Sequence, residues 1–481
     1  MRYKFLFLCI SINIMSVKAY AWSVSTTGSI SLRYQKGKNL GLLNPGVQYS
    51  DEAFSSAYLM PEVDLSQGGW FDGALELYTS ELSRRTFSYN SLNLYGVENV
   101  NDYFNDTHFI RKAYVSFNPS DSITLSAGEM HIIGGSSLIF DNYQPSITFD
   151  YDMTDTLNIP LSYELNIVKV EPYMLYDPSR TSMFYDNELT YSFSLFEYIT
   201  LFYANFDDTD NTLAPLLNGM IYSADFNRET LDRLSAVYGK VKAAEIETCI
   251  QEEYSNGGPV TSSRTNINWA GLTGDKYFGE LEFNVTGVLD FGNGSISGVN
   301  CFSPNVKPVF NRDFLTYGYL GDAKIKYHID DIGKIGLFFN ISSGDKTPMQ
   351  AIISQGTLNS FMSVFPYNTE TDLFFNGGIN QNLNSGTIAI AGRNGLGIVA
   401  YGGIMDFYPV KSIEFTITPA LLYPEMTADF YGFETDFTFT YTINKHVSFP
   451  FEFDYFKAGD YFKYYSSVSL AQVLFGADIT W

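Results

Sequence analysis

Apolar and polar residues alternate over long stretches of this chain, a pattern typical of β-strands whose two faces meet different surroundings. In YGFETDFTFTYTI (431–443), mostly aromatic residues occupy one face, whereas Gly, Glu, Asp and Thr occupy the other. After the short turn NKH (444–446), the stretch VSFPFEFDYF (447–456) repeats the alternation. These stretches predict a hairpin with an aromatic outer face and an acidic inner face, as lipid outside and water inside require.

Short turns and long polar loops alternate between such stretches. Short turns are predicted at 67–69, 118–121, near Asn166, and at 196–198, 274–279, 330–333, 409–412 and 444–446. Each short turn joins two strands, and a first and a last strand bring the total to 18. Short periplasmic turns opposite long extracellular loops are typical of bacterial barrels. The sequence therefore predicts an all-β fold, a transmembrane antiparallel β-barrel of about 18 strands in the outer membrane.

The N-terminal residues have the features of a secretory signal peptide. Arg2 and Lys4 precede a short apolar run, and Ala19 and Ala21 form an A-x-A cleavage site. We therefore expect residues 1–21 to be removed and residues 22–481 to form a single barrel domain.

The last predicted strand has apolar residues at every second position up to the final residue. Phe475, Ile479 and Trp481 lie on one face of it. We expect this face to contact outer-membrane lipid and lipopolysaccharide, with Trp481 at the interface where aromatic girdles form. We also expect these three residues to act as the signal that the barrel-assembly machinery recognises.

The charged residues at the predicted inward positions indicate the chemistry of the lumen. The chain has a formal net charge of −24, and its 36 Tyr and 40 Phe supply the aromatic outer face. If apolar positions face outward, the inward positions are mainly acidic. The predicted pore-lining residues are Glu62, Asp64, Glu76, Glu280, Glu282, Lys324, Lys326, Glu414, Glu434, Asp436, Glu452 and Asp454. Because rings of carboxylates attract cations, we expect a cation-preferring channel for passive passage, with no cofactor or metal. The acid excess disfavours nucleic acid as a partner.

One predicted loop, at about 207–266, is far longer than an ordinary connection. Within it, residues 227–253 are predicted to form a helix, because Leu231, Leu234 and Tyr238 follow helical spacing. The loop could fold into the lumen or decorate the surface, and the sequence leaves both alternatives open.

Two cysteines remain after signal removal. Cys249 lies in the long loop and Cys301 in the next loop. In an oxidising compartment these positions predict a disulfide, and two unpaired thiols are the alternative.

The sequence allows two other functions besides a channel. A plugged surface barrel that anchors or recognises a polysaccharide or a partner is the main alternative, and the long loop would form its plug. Inward aromatic residues such as Tyr78 and Tyr114 could stack on sugars. A hydrolase is disfavoured: His108 and His131 have acidic neighbours in sequence, but neither a G-x-S-x-G nor an H-E-x-x-H motif occurs.

Three stretches resemble the alginate-export family of outer-membrane porins. The last hairpin matches the family's E-x-D-x-x-x-x-Y strand and its Phe…Gly-Asp loop. The matching residues of that hairpin are Glu434, Asp436, Tyr441, Phe456, Gly459 and Asp460. Ser343, Gly344 and Asp345 resemble its Ser-Gly-Asp stretch, and residues 111–129 resemble its early hairpin.

This resemblance implies an 18-stranded barrel that passes a small solute or a polysaccharide, with periplasmic export partners as a further possibility. Alginate is a polyanion, however, and the predicted lumen is acidic. Alginate itself is therefore not the expected cargo.

Overall fold

A computed structural model describes most of the chain. The described residues are 23–38, 53–67, 69–83, 108–135, 138–170, 182–194, 196–209, 211, 213–222, 249, 260–299, 301, 309–330, 332–346, 352, 356–364, 371, 388–462 and 469–481. The predicted signal peptide, 1–21, lies outside them, as does nearly all of the predicted helix 227–253.

Strands account for most of the described residues. In chain order they are β1 (Ser23–Lys38), β2 (Ala53–Gln67), β3 (Phe71–Ser83), β4 (His108–Ser120), β5 (Ile123–Gly134), β6 (Phe140–Asp152), β7 (Leu161–Lys169), β8 (Met183–Ser194), β9 (Glu197–Asp208), β10 (Val260–Phe278), β11 (Leu281–Val299), β12 (Val309–Ile329), β13 (Gly333–Ser342), β14 (Thr357–Leu358), β15 (Met362–Val364), β16 (Ile388–Ile390), β17 (Ile398–Val410), β18 (Ile413–Tyr423), β19 (Gly432–Asn444), β20 (Val447–Ala458) and β21 (Ser469–Thr480). The described residues also form two α-helices, α1 (Thr154–Leu157) and α2 (Leu213–Tyr222), and two 3-10 helices, Arg393–Gly395 and Asp460–Phe462.

Strands β1–β13 and β17–β21 form one closed antiparallel barrel of 18 strands. Each pairs with its neighbours in sequence, and β13 pairs directly with β17. The barrel closes where β1 meets β21, from Ser29 opposite Thr480 to Lys38 opposite Ala471. The predicted fold is confirmed.

Alternation along the strands explains why the barrel can stand in lipid. On β12, Leu315, Tyr317, Ile325 and Tyr327 are exposed, whereas Leu320 between them is buried. Other strands repeat this pattern, so exposed apolar side chains cover the outside of the barrel. This is the surface that a transmembrane barrel of the outer membrane presents to hydrocarbon.

The turn predicted near Asn166 is wrong. Asn166 lies inside β7 and is fully buried on its inner face. The chain turns earlier, through α1, after which Asn158 adopts a left-handed φ of 55°. Asn tolerates this conformation better than most residues, and Pro160 follows it before β7 begins. One turn replaces the other, so the strand count is unchanged.

Several segments pack inside the barrel. Helix α2 lies against the inner face of β10, where Asn218 bonds both backbone groups of Val260 at 2.8 and 2.9 Å. Strands β15 and β16 pair with each other as a separate inner sheet, whereas β14 extends the barrel wall by pairing in parallel with β12 beyond the end of β13. None of the described helices has the length and apolar character needed to cross a membrane.

Candidate functional site in the lumen

The predicted pore-lining residues lie, with one exception, on the face opposite the exposed apolar side chains. These inward residues are Glu62, Asp64, Glu76, Glu282, Lys324, Lys326, Glu414, Glu434, Asp436, Glu452 and Asp454. Their register agrees across strands, since Glu62 pairs with Glu76 and Glu282 pairs with Lys326.

Glu280 is the exception, and its assignment to the pore wall is wrong. Strand β10 continues to Phe278, so Gly279 and Glu280 form the turn to β11. Gly279 has a φ of 61°, which a glycine adopts without steric cost. Glu280 is exposed there, and its carbonyl accepts a 2.8 Å bond from the His328 N–H.

The inward lysines of one sector are compensated by acids. On β13, Lys334 lies 3.3 Å from Glu282, which also bonds His328 at 2.7 Å. On β12, Lys324 lies 3.8 Å from Asp322. Lys169 on β7, by contrast, follows the inward, buried Val168 and pairs with Met183 on the outer face.

A second compensated group lies on β2–β4. The Lys112 ammonium lies 3.1 Å from Glu62 and 2.9 Å from Glu76. One lysine therefore bridges two inward glutamates on neighbouring strands.

The inner wall of β6–β8 has a different balance. Asp150 pairs directly with Glu164, which pairs directly with Glu188, so three carboxylates stand side by side on three strands. We call these three residues the acidic row. Its recorded hydrogen bonds come from neutral donors: Asn166 to Glu164 at 2.7 Å, and the Gly135 N–H to Glu188 at 3.2 Å.

Asp186 extends the negative charge beyond the row. It is fully buried on the inner face of β8, close enough to Glu188 for the two carboxyl groups to interact. Its Oδ2 accepts a long 3.5 Å bond from Asn166, and its Oδ1 has no hydrogen-bond partner among the described residues.

The acidic row borders a cavity of about 470 Å³. Besides the row, its polar lining consists mainly of the hydroxyls of Thr148, Tyr198, Thr200 and Thr273. Met130 and Ile132, both inward on β5, supply apolar lining. The cavity therefore combines several negative charges with hydroxyl groups and aliphatic surface.

Protein fills another part of the lumen. Leu213 and Leu217 of α2 are fully buried, as is Met362 of β15. The Trp269 indole donates to the Met362 carbonyl at 2.8 Å, and Asp290 accepts from the Met362 N–H at 3.2 Å. These two side chains anchor the inner sheet, which is the β15–β16 pair, to the wall strands β10 and β11.

Sequence reasoning missed Asp150, Asp186 and Glu188. The misplaced turn near Asn166 hid the register of β7 and its neighbours. The signal was present, because SITFDYD (146–152) and FYDNELTY (184–191) both alternate with acids on one face.

The two cysteines are bonded in the structure. Cys249 and Cys301 form a disulfide with their Cα atoms 5.5 Å apart. Cys301 follows β11 and is buried, so the bridge ties the long loop to the wall strand beside it.

The two candidates whose side chains the structure describes, His131 and Tyr114, lie on opposite faces of the wall. His131 faces outward, stacks on Tyr143 at 4.7 Å and bonds Asp141. Tyr114 is inward beside Ala74. The side chains of His108 and Tyr78 lie outside the described residues.

Comparison with known proteins identifies similar barrels. No family model and no curated relative matches the chain. Crystal structures of Acinetobacter baumannii OccAB2, OccAB1 and OccAB4 match with TM-scores of 0.54, 0.53 and 0.52 at 10%, 9% and 8% identity. The alignments cover 95%, 97% and 95% of this chain and 98% of each of the others. At such low identity the likeness establishes the fold alone.

The resemblance to the alginate-export family is wrong. The similar structures are Occ porins rather than alginate-export porins. The motifs behind that resemblance are alternating strand residues and Gly-Asp turns, which unrelated barrels need for the same physical reasons.

Proposed function

We propose that this protein is an outer-membrane channel for the passive passage of small solutes, with a lumen that prefers cations. The observation that carries the proposal is the unequal charge of the inner wall. Lys112, Lys324 and Lys334 each lie within 4 Å of a carboxylate, whereas the acidic row makes no ion pair with any residue that the structure describes.

Excess carboxylates in a confined, water-filled space raise the local concentration of cations and lower that of anions. The low-dielectric walls strengthen this effect because they focus the field into the lumen. Cation preference is therefore the expected consequence of this wall.

Single-channel recording tests the proposal. The refolded mature protein is placed in a planar bilayer under a KCl gradient, and the reversal potential is measured. We expect a stable conductance and a reversal potential on the potassium side. A stable but anion-selective conductance would contradict the proposed lumen.

A plugged barrel is the second candidate function, and the inner segments favour it. Helix α2 and strands β15 and β16 fill part of the lumen with buried apolar side chains. A barrel closed in this way would anchor or recognise a partner at the surface without conducting. Absence of conductance from correctly folded protein would favour this candidate over the channel.

We also propose that β21 presents the assembly signal. Phe475, Ile479 and Trp481 are exposed on its outer face, where a soluble factor has access before insertion. Replacing all three by Ser should slow barrel formation in a reconstituted assembly reaction. An unchanged rate would assign recognition to another segment.

A further inference from the structure

We propose that the cavity beside the acidic row is a binding site for an aliphatic di- or polyamine. This inference deepens the proposed function by naming a solute class, although binding does not itself require conduction. It depends on the spacing of the carboxylates, on the buried Asp186 and on the remaining cavity lining.

The spacing favours a ligand with more than one positive charge. Asp150, Glu164 and Glu188 are direct cross-strand neighbours. Neighbouring strands lie about 4.8 Å apart, so the row repeats negative charge at that interval. A chain that places ammonium groups a few methylenes apart can contact several members of the row at once.

Asp186 is an independent indication of a missing cation. It is fully buried next to Glu188, which does line the cavity, and its Oδ1 has no hydrogen-bond partner among the described residues. A buried carboxylate with one oxygen unsatisfied and the other held by a single long bond from Asn166 is costly, and an ammonium beside Glu188 would offset that cost. The described lining of the cavity contains neither lysine nor arginine that could do so.

The rest of the lining favours an amine over an amino acid. Met130 and Ile132 provide surface for methylene groups, and the Tyr198 hydroxyl can accept from an ammonium. His131 is the cavity's basic lining residue, but its ring is held by Asp141 and Tyr143 on the outer face. A ligand carboxylate would therefore meet the acidic row with no cation to stabilise it.

A bare metal ion fits less well. Within the described part of the chain, no group of three or more His, Cys, Asp or Glu residues is arranged to hold one. The volume of about 470 Å³ is in the range of cavities that take organic ligands.

Calorimetric titration of the folded full-length mature protein in detergent micelles tests the inference. Spermidine is the probe, and 1,4-diaminobutane, free lysine and CaCl2 are the comparison ligands. We expect spermidine to bind more tightly than 1,4-diaminobutane, and free lysine to bind more weakly than either. The double variant E164Q/E188Q should weaken spermidine binding roughly tenfold or more.

A matched control separates the cavity from the general charge of the lumen. The variant D64N/E414Q removes two inward carboxylates that do not line the cavity, and its affinity for spermidine should match the wild type. Heat-modifiable gel mobility verifies that each barrel is folded, and the single variant E164Q replaces the double variant if the latter fails to fold.

Three outcomes would overturn the inference. The first is no spermidine binding by the wild type, and the second is equal weakening by E164Q/E188Q and D64N/E414Q. The third is Ca²⁺ binding that depends on Glu164 and Glu188 and displaces spermidine, which would make the cavity a metal site. Because calorimetry needs no current, loss of conductance alone would contradict the proposed channel and leave the amine site intact.

Discussion

The β6–β8 wall and the β12–β13 wall face the same lumen with different charge balance. On β12–β13, Lys334 and His328 converge on Glu282, and Lys324 lies near Asp322. On β6–β8, the acidic row receives hydrogen bonds only from neutral donors among its recorded contacts. Negative charge is therefore spread unevenly over the inner wall, and the β6–β8 side remains available to an external cation.

The largest expected effect comes from reversing the charge of the acidic row. The variant E164K/E188K should shift the reversal potential in a KCl gradient toward chloride. A unit charge about 4 Å from a passing ion in water-like surroundings is worth about 1 kcal/mol, so the potassium-to-chloride permeability ratio should fall roughly fivefold or more. The control D64K/E414K adds the same charge away from the cavity and should shift it less. Equal shifts of the reversal potential in the two variants would mean that the acidic row contributes no more to selectivity than other inward carboxylates.

The next effect is on stability, where a compensated group is broken. Replacing Lys112 by Met leaves Glu62 and the buried Glu76 without their shared cation. Because taking the nearby cation away from a buried carboxylate is costly, and Lys112 is partly exposed, the free energy of unfolding should fall by about 1–3 kcal/mol. Urea titration of the barrel in lipid vesicles measures the change. The control K276M removes the pair between the exposed Lys276 and Glu197, and it should lower the free energy of unfolding less than K112M does. An equal loss in both variants would contradict the argument.

A smaller effect is expected at the anchor of the inner sheet. Replacing Trp269 by Phe keeps an aromatic ring but removes the bond to the Met362 carbonyl. Loss of one buried hydrogen bond costs about 1 kcal/mol, which should loosen β15–β16 and increase current fluctuations in single-channel records. The control W70F changes an exposed tryptophan in the turn between β2 and β3, and its records should match the wild type. If W269F showed no more current fluctuation than the wild type, other contacts would hold the β15–β16 sheet in place.

The smallest effect should come from the β12–β13 wall, where acidic residues already compensate the lysines. Replacing Lys326 by Gln removes one inward positive charge opposite Glu282. Because salt screens a single wetted charge, cation preference should rise by only about twofold in the reversal-potential assay. The control K276Q removes a lysine from the outer face and should leave selectivity unchanged. A fall in cation preference in K326Q would contradict the inward placement of Lys326.

The alternation of side chains was sufficient to predict the fold. In stretches such as 431–443, the two-residue period predicts a strand and the aromatic positions identify its outer face. The hairpin β19–β20 and the strand count therefore follow from sequence. The same alternation fixes the inward face of Glu434 and Asp436, because a shift of one residue would place acids in lipid.

The candidate site was harder to predict, because it depends on register between strands. Asn166 resembled a turn residue in isolation, and only its pairing with Asp186 shows that β7 continues through it. The acidic row exists because β6, β7 and β8 align one acidic residue each at the same level. This alignment cannot be read from the sequence of any one strand. The inner sheet is similarly hidden, since its position depends on distant contacts such as those of Trp269 and Asp290 with Met362.

The pairing of β1 with β21 has a consequence for how the molecule forms. These strands come from opposite ends of the sequence, and their ladder removes the last open edges of the sheet. Until it forms, two rows of unpaired backbone groups remain that can join another chain. Because contacts so distant in sequence form slowly, the interval before closure is when this protein is most prone to aggregate, and a chaperone that shields β1 or β21 would act in that interval.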